Sequence, residues 1–169
     1  MSQDIQVDVR EWAMWVLVLG REARSAMERH MHNAMDGSLD RILEWITQET
    51  PVNLGLLRGS FATSVYGQAF DLRGEAATSL IYGWPVETGR DPGKPPPVDA
   101  IKLWARRKLG LSGAELDQAA YAIARRIGQR GTTGALMVEQ AYQRAAQAGS
   151  DIDRIWEYEL EQFLQEMAR

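Results

Sequence analysis

Between residues 82 and 110 the chain reads YGWPVETGRDPGKPPPVDAIKLWARRKLG, and this stretch restricts the fold more tightly than any other. Pro95, Pro96 and Pro97 cannot donate to a β-ladder, so the chain reaches Val98 as a stiff, extended segment. From Val98 the apolar residues Val98, Ile101, Leu103/Trp104 and Leu109 recur at helical spacing, and Gly110 is the natural C-cap. The same segment carries Lys102, Arg106, Arg107 and Lys108. A Gly- and Pro-rich loop that breaks into a cationic amphipathic helix is suited to docking onto a partner. It is a poor description of an enzyme pocket.

The flanks are read from periodicity. Ile5, Val7 and Val9 alternate with polar residues, as in a short strand or an extended arm. From Trp12 the spacing turns helical through Trp15/Val16, Leu19, Ala23, Met27, Met31 and Met35. Gly37-Ser38 is expected to interrupt this helix, with Ser38 capping a second one whose apolar face is Leu39, Ile42, Leu43 and Ile46. Pro51 ends it. Residues 59–67 predict a strand with Phe61, Thr63 and Val65 on one face. Turns are expected at Gly67 and around Leu72–Gly74, and a second strand at 75–82.

Ser112 or Gly113 starts a helix with Leu116, Ala119/Ala120, Ile123 and Ile127 inward, broken over residues 128–134. Thr133 is placed to cap a helix over residues 135–148, with Met137/Val138, Ala141, Tyr142 and Ala145 inward. The last helix starts at Asp151, itself the expected cap, and turns Ile152, Ile155/Trp156, Leu160, Phe163/Leu164 and Met167 inward. The whole predicts an α+β fold: a small antiparallel β-sheet packed against several helices, with a long N-terminal helical segment and a C-terminal helix. It is expected to form one domain over 1–169, made of N-terminal helices (1–49), a sheet region with an extended loop (50–94), a helical region (95–148) and an acidic C-terminal helix (149–169).

Charge is unevenly spread along the 169 residues. Over residues 90–130 nine Lys/Arg face four acids, leaving +5; from residue 151 onward six acids face two arginines, leaving −4. One cationic and one anionic segment allow copies to pair head to tail. The formal net charge of −4 argues against wholesale nucleic-acid binding while leaving room for a local basic face. Without cysteine there is no disulfide framework, thiolate metal site or cysteine nucleophile. No signal peptide is expected, because no basic region precedes an apolar run, and the run over residues 12–19 is too short to span a bilayer.

Catalytic and metal chemistry find little support. His30 and His32 lie two apart on a helix and point to different faces, so they cannot chelate one ion together. There is no GxSxG elbow for a triad, and the glycine-rich stretches 83–93 and 128–134 match neither a phosphate loop nor a dinucleotide fingerprint. No catalytic residue, metal or cofactor is therefore assigned. A glycosidase-type pair built on Glu87 lacks an obvious second carboxylate. Trp84, Trp104 and Trp156 are core residues or interface anchors. Arg106, Arg107, Arg125, Arg126 and Arg130 either line a solvated face or meet phosphates and acidic partners.

TPVNLGLLRGSF (50–61), LIYGWPVETG (80–89), PPPVDAIKLWARRKLG (95–110) and AYAIARRIGQRGTTG (120–134) follow one another in an order that resembles the tail-completion or head–tail joining proteins of tailed phages, the minor tail protein Z-like family. TPVNLGLLRGSF (50–61) looks like the family's segment before its first main strand, although Asn53, Leu54 and Leu56 stand where Asp, Thr and Arg are common. LIYGWPVETG (80–89) looks like its strand and loop, PPPVDAIKLWARRKLG (95–110) like its Pro-led helix, and AYAIARRIGQRGTTG (120–134), followed by Tyr142, like its helix and GTxG turn.

The resemblance covers residues 45–148. It implies a structural virion protein of the neck or upper tail, made in the host cytoplasm. Such a protein assembles as a ring of copies, with six expected from tail symmetry, against connector, tail terminator or tail tube. DNA passes its channel without specific binding, and no membrane is involved. The expected contact residues are Trp84, Val86, Glu87, Arg90, Lys94, Trp104, Arg106, Arg107, Thr132 and Thr133, with Arg125, Arg126 and Arg130 as candidates to face DNA. Two other readings stay open: a small nucleic-acid-binding module using the Arg106/Arg107 and Arg125/Arg126 face, and a carboxylate-dependent hydrolase using Glu87.

Overall fold

The computed structural model describes residues 20–68 and 71–169. The expected arm at 5–9 and the helical run at 12–19 lie outside the described residues. The fold is α+β, with a long N-terminal helix, a C-terminal helix and a small antiparallel sheet. Backbone contacts gather the chain into two compact units.

The first unit holds residues 20–49, Ser60–Ser79 and Met137–Arg169. Its axis is α1 (Arg21–Glu49), whose residues Met27, Met31, Met35, Leu39, Ile42 and Ile46 are buried at three- and four-residue spacing. Strands β1 (Phe61–Tyr66) and β2 (Arg73–Thr78) pair antiparallel, with Phe61 opposite Thr78 and Tyr66 opposite Arg73. Both lie against α1. Phe61, Thr63 and Val65 form the less exposed face of β1, as the alternation predicts.

Helix α5 (Met137–Ala145) also packs on α1, and α6 (Asp151–Met167) packs on it most extensively, burying Ile152, Trp156 and Phe163. The second unit holds Thr50–Gly59 and Leu80–Leu136. It contains α2 (Gly83–Thr88), β3 (Gly89–Arg90), α3 (Val98–Leu109), α4 (Gly113–Arg130) and β4 (Thr132–Thr133).

Several expectations are corrected. α1 runs unbroken through Gly37-Ser38, and Ser38 caps nothing. The Ser38 hydroxyl donates to the Ala34 carbonyl (2.6 Å) and accepts from the Trp156 indole N–H (3.0 Å). A Cβ on Gly37 would come within 3.2 Å of Ile155 Cγ2, so the glycine admits α6 rather than ending α1. Arg73 and Gly74 are strand residues and not a turn, and β2 stops at Thr78. A Cβ at Gly74 would sit 2.7 Å from Met35 Sδ, so the bare backbone lets β2 lie on α1.

Residues 83–88, expected as part of a loop, form α2; Pro85 is tolerated there because first-turn N–H groups have no helical partner. Gly128 lies inside α4, which continues to Arg130. Helix α5 begins at Met137 and ends at Ala145 rather than filling 135–148. The cap of α6 is Ser150 and not Asp151. Its hydroxyl accepts from the Asp153 N–H while the Asp153 carboxylate accepts from the Ser150 N–H, a reciprocal capping box. The apolar residues Leu103, Leu109, Tyr142 and Leu164, expected inward, are exposed.

Candidate functional site

The second unit is held by a seam between two distant pieces of chain. Strand β3 pairs antiparallel with β4, Gly89 opposite Thr133 and Arg90 opposite Thr132. The pairing extends beyond the strands: Ala135 N–H donates to the Val86 carbonyl (2.8 Å), Leu136 N–H to the Glu87 carbonyl (3.1 Å) and Gly93 N–H to the Gly128 carbonyl (2.8 Å). The approach is so close that three glycines are obligatory. A Cβ on Gly89 would collide with the backbone of residues 132–134, one on Gly131 with the Arg90 carbonyl, and one on Gly134 with the Glu87 carbonyl. Gly131 also has φ 71°, a region that L side chains rarely adopt.

Thr132 and Thr133 are therefore strand residues with exposed side chains. Thr133 caps no helix, because its backbone is committed to β3. Leu136, at φ 52°, is the described non-glycine residue with left-handed backbone, and it sits where the seam ends.

Helices α3 and α4 pack together beside the seam. Ala105 of α3 is fully buried, as are Ala120 and Ala124 of α4, and these small side chains let the helices approach. Lys102 Nζ lies 2.8 Å from an Asp117 carboxylate oxygen and ties the pair at the surface. That hydrogen bond, with the carboxylate's charge, holds the lysine above its ordinary range. The α4 surface continues past Gly128, where a Cβ would meet Pro95 Cγ at 2.8 Å. Pro95, the first of the three prolines, thus lies against this helix.

Seam and helix together frame an open cleft of about 460 Å³. One wall is Ile123, Arg126, Ile127 and Arg130, a single face of α4 at three- and four-residue spacing. The other is the turn Arg90-Asp91-Pro92 with Gly131, Thr132 and Thr133. The Arg90 guanidinium donates to the Lys94 carbonyl and closes its own loop. Arg126 and Arg130 are exposed and, among the described residues, have no acidic partner.

Of the residues expected to make contacts, the cleft brings together Arg90, Thr132 and Thr133 with Arg126 and Arg130. Lys94, Trp104, Arg106, Arg107 and Arg125 lie outside it. Arg106 and Arg107 are exposed in the last turn of α3, where cations complement the helix dipole. Glu87 is buried at 6% exposure, so its carboxylate is not a surface contact. Trp84 is 53% exposed and Val86 half-buried, and they adjoin Ile81, which is 94% exposed. Ile81 is not found by sequence reasoning, which puts it inside a strand. The pairing of Ile123 and Ile127 with the arginines is hidden for a similar reason: both isoleucines read as core.

The first unit has a polar cluster of its own. His30, buried on α1, places Nδ1 2.7 Å from Glu159 Oε2 and Nε2 3.1 Å from Glu166 Oε2. Arg29 Nη2 donates to both oxygens of Glu166, at 2.7 and 2.9 Å. The hydrogen bond from His30, then the hydrogen bond and charge of Arg29, hold the Glu166 carboxyl below the ordinary glutamate range. His32 takes no part in these contacts. Among the described residues no group of acids and histidines is arranged to hold a metal ion, and no helix is long and apolar enough to cross a membrane.

No family model matches the chain, and no curated protein or solved structure is significantly similar to it.

Proposed function

We propose that this protein is a structural subunit of a tailed-phage particle, a neck or tail-completion component that joins tail to head by assembling with copies of itself around the DNA path. The observation that carries the reading is one of coincidence. Three of the segments that resemble the tail-completion family, 80–89, 95–110 and 120–134, lie in the continuous run Leu80–Leu136, and most of the fourth, at 50–61, belongs to the same compact unit as Thr50–Gly59 although the two-stranded hairpin separates it in sequence. The seam glycines Gly89, Gly131 and Gly134 stand within two of those segments and are the residues that make the close approach feasible.

The surface of the same unit fits the role. Ile81, Trp84, Leu54, Leu56 and Leu103 are all at least half exposed, as expected of a subunit whose apolar contacts lie on neighbouring molecules. The cationic residues of α3 and α4 and the acidic α6 provide unlike patches. Unlike patches make a heterologous interface, and a heterologous interface whose rotation closes makes a ring. Six copies match the symmetry of such tails.

The test is genetic and visual. A phage carrying a stop codon early in this reading frame should yield lysates with full heads and finished tails lying separate under the electron microscope. Adding the purified chain should join them. Joined, infectious particles from the mutant alone would overturn the proposal.

A further inference from the structure

The cleft on the second unit has a mixed character that narrows its occupant. Ile123 and Ile127, half-buried, supply an apolar floor; Arg126 and Arg130 stand one helical turn apart above it, and Thr132 and Thr133 add exposed hydroxyls. A matching surface needs two carboxylates a turn apart with apolar side chains beside them.

The described part of the chain presents one. On the exposed face of α6, Glu157 and Glu161 are a turn apart, and among the described residues neither is in an ion pair. Tyr158 and Leu164 flank them, 58% and 43% exposed. We infer that the Arg126/Arg130 cleft of one copy receives the Glu157/Glu161 face of α6 from the next copy. This rests on the self-assembly reading and gives it a specific contact.

The pairing is chemically economical. Guanidinium forks bind carboxylates two bonds at a time, and the equal i, i+4 spacing on both helices lets both pairs form together. Tyr158 and Leu164 cover the isoleucine floor, which raises the strength of the charge pairs by excluding water. A nucleic-acid backbone is a weaker match, because it has no use for an apolar floor and would meet Asp91 at the cleft wall. Cleft and helix face are different patches, so the contact propagates head to tail.

Charge reversal with reciprocal rescue tests this on the full-length chain. The wild type should sediment as an oligomer, with its mass falling as salt is raised. R126E/R130E and E157K/E161K, each folded by circular dichroism, should both sediment as monomers. Mixed in equal amounts they should reassemble, because each variant's altered patch now meets its complement on the other.

Variants that keep the wild-type mass, or monomeric variants that fail to reassemble on mixing, would overturn the contact while leaving assembly intact. A wild type that stays monomeric at every concentration would overturn the contact as well, and joining of mutant heads and tails would then decide the wider reading separately. A duplex DNA fragment retained by the wild type and lost in R126E/R130E, with oligomer mass unchanged, would assign the cleft to nucleic acid and overturn the inference.

Discussion

At the scale of single residues, the glycines of the seam carry more of the fold than any large side chain. Gly134 separates two effects that usually travel together, since its conformation is ordinary but its missing Cβ is filled by the Glu87 carbonyl. Gly134→Ala should therefore destabilise by about 2–3 kcal/mol through backbone displacement alone, seen as a lower midpoint in denaturant. An unchanged midpoint would mean that the seam is looser than described.

Glu166 gives a pH signature. Its folded-state pKa lies below the ordinary value of 4.5, so its contribution to stability is present above that pH and is lost as pH falls through the lowered value. The stability difference between wild type and Glu166→Gln should be clear at about pH 6 and shrink toward about pH 3, measured by urea unfolding at each pH. A difference that grows on acidification would contradict the pairing of Glu166 with His30 and Arg29.

The residue scale also shows where sequence reasoning stops. The GTTG turn is visible as a feature, but threonine suits both a helix cap and a strand edge. What decides between them is the backbone of Gly89, far upstream. His30 likewise shows in the sequence only as a helix histidine that cannot chelate with His32, and its partners Glu159 and Glu166 are brought to it by α6.

Among the elements, the helices are legible wherever a spaced apolar face coincides with a clear stop. α3 begins after Pro97 and ends at Gly110 (φ 67°), as its sequence dictates. The continuity of α1 is not legible, because a glycine inside a helix has a local cost and its compensation is tertiary. Replacing Gly37 by alanine should gain about 1 kcal/mol of helix propensity, set against the 3.2 Å approach of Ile155 Cγ2.

The two sites should consequently be coupled. Ile155→Ala, which removes Cγ2, should cost about 2 kcal/mol alone but clearly less in a Gly37→Ala background, a non-additivity that thermal unfolding of the four-protein cycle would measure. Strict additivity would show that the two residues do not touch. At the start of α6, Ser150→Ala removes the capping box and should cost about 1 kcal/mol in a denaturation experiment. No loss of stability would show that the box contributes nothing.

On the scale of the whole molecule, the α+β class comes from the order of periodicities, whereas the division into two units does not. The chain leaves the first unit after Glu49 and again after Ser79, and local patterns do not announce either crossing. The candidate site is half legible for the same reason. Arg90, Arg126, Arg130, Thr132 and Thr133 each stand out in the sequence, but their convergence on one cleft depends on the seam, and the isoleucine floor reads as core.

The proposed role requires that these surfaces meet other subunits in a finished particle. Quantitative mass spectrometry of purified, joined phage particles measures whether they do. The chain should be present in a fixed number of copies per particle, consistent with a single ring of six. Intact, joined particles that contain none of it would contradict the claim.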